Sequence, residues 1–233
     1  MFSRKLRPII IAGAAAIAVA GGSYGIASAT SSTSPAAASS GSASGGGPGG
    51  GSNARSGPAA GGASGTVTTV STPKFTMTTS AGQKVTVAEA PSPAYQKGTS
   101  PASANAITTG ESVLVLGTTS STTITATQVT VQPAGSSGSA ASTAAGVVPF
   151  QRGAPATSKT AGQIPADYSQ GTGTIVSGTA ANKATEAALA AYPGAIVDRV
   201  VQLGNGEYEV HYIGVSWPHH VFVNQNFKVI GAN

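Results

Sequence analysis

The chain has 233 residues, among them 32 Gly and 14 Pro, no Cys, and only 8% charged side chains. The lack of Cys excludes disulfides, thiolate nucleophiles, Cys-ligated zinc and iron–sulfur clusters. The formal charge of +5 includes Arg4, Lys5 and Arg7; without them nine basic side chains face seven acidic ones, a net +2 that gives no electrostatic footprint for nucleic acid.

Residues 3–7 are basic, residues 9–20 contain only Ile, Ala, Gly and Val, and Ala27-Ser28-Ala29 follows. A basic lead, a short apolar stretch and an A-x-A site form the pattern of an export signal. Residues 1–29 are therefore expected to be a signal peptide cleaved after Ala29, or else an N-terminal membrane anchor. A spanning helix needs about 20 apolar residues, and 9–29 reaches that only by counting Gly, Ser and Tyr. The expected location is secreted or cell envelope, outside the cytoplasm. Residues 30–65 are almost entirely Ser, Ala, Gly, Pro and Thr. Such a stretch buries too little apolar surface to offset ordering entropy, and is expected to be a disordered linker.

Residues 66–132 change character. Phe75, Met77 and Thr79 alternate, then Val85 and Val87, with the Gly-bearing turn 80–83 between them. Period-two runs of β-branched residues around such a turn predict hairpins. Residues 88–106, with Pro91, Pro93 and Pro101, are expected to be an irregular excursion. Val113-Leu114-Val115-Leu116 is apolar on both faces and predicts a central strand. Ile124, Ala126, Val129 and Val131 change phase after Ala126, which predicts a bulge. About five strands in this length predict a small all-β barrel. Residues 133–171 return to linker composition and are expected to be flexible, with one loosely packed apolar island at Val147–Arg152.

In 172–233, Thr179 is expected to cap a helix starting at Ala180, with Ala184, Ala188, Leu189 and Ala191 on its apolar face. Pro193-Gly194 stops it. Strands are predicted from Ile196 to Leu203, Glu207 to Ile213, His219 to Asn224 and Phe227 to Ile230. This is a small α+β unit, one helix on an antiparallel sheet. Placing Val210 and Val221 toward the helix pairs His211 with His220, Glu209 with Phe222 and Tyr208 with Val223.

Two resemblances follow from particular runs. Gly65-Thr66-Val67, Phe75-Thr76-Met77, Gly82–Val87, Thr109–Gly117 and Ala126–Val131 together resemble a small bacterial β-barrel (OB-like) domain family found in exported proteins. Ala187–Val197 with its Tyr192-Pro193-Gly194 step, Gly206–Val210 and Phe227-Lys228-Val229 resemble a PepSY domain. The PepSY resemblance implies an envelope module that binds or restrains a partner protein. OB-like barrels often bind oligonucleotides or sugars, but Phe75 and Tyr95 are the only aromatics here, too few to stack bases.

No catalytic constellation is legible. No Gly-x-Ser-x-Gly elbow lies between a strand and a helix, and the Gly-rich runs lack the Gly-Lys-Ser/Thr ending of a phosphate loop. No enzyme activity, cofactor or nucleic-acid partner is expected. His211, Trp217, His219 and His220 are the candidate partner-binding residues. The expected function is a non-catalytic binding or regulatory module acting on an extracytoplasmic protein. A tethered structural spacer of the envelope is the alternative. A metal-handling role for the His211/His220 hairpin ranks lowest, because two imidazoles and one mobile carboxylate make an incomplete shell with nothing evident to orient it. The histidine pair is expected to sit exposed on a solvated sheet face.

Overall fold

The computed structural model describes residues 57–133, 139–154 and 157–233; the expected signal segment and most of the first expected linker lie outside them. The strands are β1 (Ala59–Ser71), β2 (Lys74–Thr78), β3 (Lys84–Lys97), β4 (Ser100–Pro101), β5 (Ser112–Ser120) and β6 (Thr123–Val131). Helix α1 (Ser139–Ala145), β7 (Val148–Pro149), β8 (Ala161–Gly162) and β9 (Thr174–Ile175) follow. Helix α2 (Gly178–Ala191) then leads to β10 (Ile196–Gln202), β11 (Tyr208–Ile213), β12 (Val215–Trp217), β13 (His220–Val223) and β14 (Val229–Ala232). The described chain is thus mostly β-sheet with two α-helices, as an all-β part joined to a small α+β part requires. Neither helix is long and apolar enough to cross a membrane.

The first five long strands close on themselves. β1 pairs with β2, β2 with β3, β3 with β6 in parallel, β6 with β5, and β5 with β1. Inside lie Val67, Phe75, Met77, Val85, Val87, Val113, Val115, Ile124 and Val129, all buried. The bulge expected after Ala126 is present: the β5–β6 register shifts between Leu116 and Gly117, opposite Ala126 and Gln128. The expected excursion at 88–106 is corrected, because β3 runs on to Lys97. Its register to β6 breaks between Glu89 and Ala94. Pro91 and Pro93 fall in that break, where their missing N–H groups cost no ladder bond.

The second core lies between α2 and the antiparallel strands β10, β11, β13 and β14. Ala181, Ala184, Ala188 and Leu189 pack there on Val197, Val200, Val210, Tyr212 and Val221. Small alanine side chains let the helix sit close to the sheet. Thr179 is not its cap: the helix starts at Gly178, and Ser177 takes the N-cap position without a side-chain bond.

The two cores share strands. Val113 and Val115 point into the barrel, whereas Leu114 and Leu116 point to α2. This is why that run is apolar on both faces. β1 begins at Ala59, inside the span expected as linker, and pairs with β5 on one edge and, at Gly62 and Ala63, with β10 on the other. Within 133–171 the described residues also engage the second core. Val147 is buried in it, and β7 pairs with β12. The apolar island therefore docks through Val147 and Val148, while Pro149, Phe150, Gln151 and Arg152 are exposed. Thr79 Oγ1 donates to the carbonyl of Gly194 at 2.6 Å and Ser142 Oγ to that of Pro193 at 3.0 Å. The turn between β2 and β3 and helix α1 thus both hold the Pro-Gly step that ends α2.

Candidate functional site on the back of the second sheet

Along β11 the side chains alternate. Tyr208, Val210 and Tyr212 face α2, which leaves Glu209 and His211 on the opposite face. The register to β13 is the one the sequence predicts: His211 pairs with His220, Val210 with Val221, Glu209 with Phe222 and Tyr208 with Val223. On β10 a bulge places Val197 opposite Tyr212 and Arg199 opposite His211, so Asp198 is the extra residue. Without it Arg199 would turn toward α2. With it, Arg199 joins the histidine face while Val197 and Val200 both stay in the core.

Each histidine of the pair is tied to its own carboxylate. His211 Nδ1 lies 2.5 Å from Asp198 Oδ1, and His220 Nδ1 lies 2.6 Å from Glu209 Oε1. Arg199 Nη1 donates to Asp198 Oδ2 at 3.2 Å, while its Nε is buried without a partner. The two imidazole centroids are 5.2 Å apart. Tyr168 covers this face, edge-on to Phe222 at 4.7 Å and tilted over His220 at 5.7 Å. The expectation of an exposed pair on a solvated face is therefore corrected: both histidine side chains are only 12% exposed. Sequence patterning marks polar positions on a sheet face, but a covering loop such as that around Tyr168 leaves no periodic signal.

Burial, with the negative charge of Glu209 behind it, pushes the Tyr168 hydroxyl up to about 12; Arg199 acts in the other direction. Burial is also the main reason that the pKa of His219 lies below the ordinary histidine value. The neighbouring His220 and His211 add to the shift, and a hydrogen bond with the Tyr212 backbone opposes it.

A cavity of about 590 Å³ opens here, lined by Tyr168, Gln170, His211, His219, His220 and Asn233 among others. It gathers all three histidines of the chain. Trp217, the fourth candidate residue, is not among them. It is 2% exposed in the second core, edge-on to Tyr192, with its Nε1–H donating to Lys159 O at 3.0 Å. The Lys159 ammonium sits 3.8 Å from the centre of its ring. Trp217 is thus an anchor for the segment after α1 rather than an edge of the histidine surface.

The sequence reading missed Asp198, Arg199 and Tyr168. The available signal for the first two was an adjacent Asp-Arg pair inside the otherwise apolar Ile196–Val201 run. For Tyr168, an isolated aromatic in a linker-like stretch, there was none. Because a carboxylate only accepts hydrogen bonds, each Nδ1 carries the proton, and in the neutral ring the lone pair then sits on Nε2. Among the described residues no protein group bonds either Nε2. No group of three or more His, Asp or Glu side chains among these residues is placed to hold an ion unaided. Comparison of the chain with protein-family models, with curated proteins and with solved structures finds no match.

Proposed function

We propose that this chain is an exported, non-catalytic binding or regulatory module of the cell envelope, acting on an extracytoplasmic partner protein. The observation that carries the reading is the open concavity on the back of β11 and β13, where three of the four candidate residues meet. A Gly/Ser/Ala-rich stretch before it suits a module held away from a membrane or wall. The order helix, Pro-Gly step and antiparallel strands fits the PepSY resemblance. The five-stranded ring with its parallel β3–β6 pair fits the OB-like one.

The test is affinity capture from envelope extract with the mature chain carrying a histidine-free tag. A stoichiometric partner is expected, and Gln170→Arg, a charge placed on the exposed rim of the concavity, is expected to abolish its capture. A partner captured equally by both proteins places the interface elsewhere. Repeated absence of any partner favours the spacer alternative.

A further inference from the structure

We propose that the cavity behind β11 and β13 is a binding site for a single divalent transition-metal ion of the zinc or copper class, held by Nε2 of His211 and of His220. Four observations converge on it. Imidazole nitrogen is the side-chain donor that this class of ion prefers when no thiolate is available, and the chain has no Cys. The rings are oriented in advance, Nδ1 of each being fixed by a carboxylate, Asp198 for His211 and Glu209 for His220. A carboxylate behind a ligating histidine sets its tautomer and raises its basicity, and such partners are the usual companions of metal-binding imidazoles. With Nδ1 turned to its carboxylate, the edge left for the cavity is Nε2.

The spacing also fits. Two imidazoles bound through Nε2 to one tetrahedral ion at about 2.0–2.1 Å would have ring centres about 5 Å apart. The observed separation is 5.2 Å. The charge is favourable too. Asp198 and Glu209 together outweigh the single guanidinium of Arg199, so with neutral rings the cluster is net negative and a cation relieves it. The third histidine, His219, lies 6.5 Å from His220 between ring centres and lines the same cavity. The chain thus offers two fixed nitrogens, and the remaining positions go to water or to an incoming donor, as in an open rather than a closed site.

This inference does not depend on the partner proposal. It concerns an ion rather than a protein, and it is read on the purified chain alone. The experiment is calorimetric titration of the full, untagged chain, first stripped with chelator, against zinc and copper(II) salts. One ion per chain is expected. His211→Gln and His220→Gln are each expected to weaken binding at least about tenfold, and Asp198→Asn or Glu209→Gln by about 10–100-fold, the usual effect of losing the group behind a ligand. Affinity unchanged in both histidine variants, or no saturable binding at all, overturns the proposal. Circular dichroism checks that each variant is folded. Copper(II) electron paramagnetic resonance of the unmodified chain needs no variant: nitrogen hyperfine structure from two imidazoles is expected, and an all-oxygen spectrum overturns the site.

Discussion

The most informative perturbation is a single methyl group on β1. A Cβ at Gly61 would run into the carbonyl oxygen of Val197 on β10, with the carbonyl carbon at 2.8 Å and Thr119 Oγ1 at 2.9 Å. A Cβ at Gly62 would meet the carbonyl oxygen of Val115 on β5, with Leu116 Cδ2 at 3.1 Å and Thr185 Cγ2 at 3.3 Å. Both obstacles are backbone in paired strands, so neither side can swing away. The two glycines therefore let β1 lie close to β5 and β10 where the cores meet. Forcing extra carbon into such a contact costs about 1–3 kcal/mol. For a chain of this size that lowers Tm by roughly 2–12 °C. Gly61→Ala and Gly62→Ala should each show this loss in a thermal melt followed by the fluorescence of Trp217. Gly57→Ala is the control, since a Cβ there meets nothing within 4 Å. A flexible linker would hardly respond, because Ala in place of Gly restricts a segment without fixed structure equally in the folded and the unfolded chain. Melting temperatures of both variants within about 1 °C of the parent would mean that residues 59–65 do not run between the two cores.

Two further outcomes follow from burial. Trp217→Ala removes a ring that is 2% exposed, its hydrogen bond to Lys159 and its edge contact with Tyr192. A loss of about 3–5 kcal/mol is expected in urea unfolding followed by circular dichroism, and a loss under about 1 kcal/mol would place the ring at the surface. Tyr95 is held up to about 12, first by burial and then by its hydrogen bond to Glu89 and the charge of that group. The unfolded chain therefore loses this proton near pH 10 while the folded chain keeps it. That contribution to stability is full below pH 10 and is lost as pH rises toward about 12. Tyr95→Phe should flatten the decline in Tm measured across this window, and an unchanged slope would refute the assignment.

Much of the fold is legible in the sequence wherever side-chain period carries it. The alternation of Phe75, Met77, Val85 and Val87 finds the barrel interior, and the two-faced run Val113–Leu116 finds the strand that both cores share. The phase shift after Ala126 finds the bulge. Period fails where there are no side chains to count. Ala59–Gly65 has the composition of a spacer, yet its lack of bulk is what close strand approach demands. A flexible linker and a tightly packed glycine strand have the same letters, and only the neighbours Val115 and Val197 tell them apart. The island at Val147 is a related case, because three or four apolar residues specify a docking contact only once Val215 and Trp217 are in place to receive them.

The site follows the same logic one level up. Hairpin register is local, so the pairing of His211 with His220 can be read from the valines beside them. The groups that orient those rings come from two different places. Glu209 lies on the same hairpin but serves His220 on the opposite strand rather than its near neighbour His211. Asp198 comes from β10, and it comes only because the bulge at that residue breaks strict alternation. Uniform period-two reading of Ile196–Val201 would bury Arg199 against α2, where no counter-charge waits, and would turn Val200 away from the core. The run Val-Asp-Arg-Val therefore carries its own argument for a bulge: one inserted residue keeps both valines in the core and sends both charges to the other face. The metal reading ranks lowest from sequence for want of groups to orient the histidines, and this inserted residue supplies one of the two.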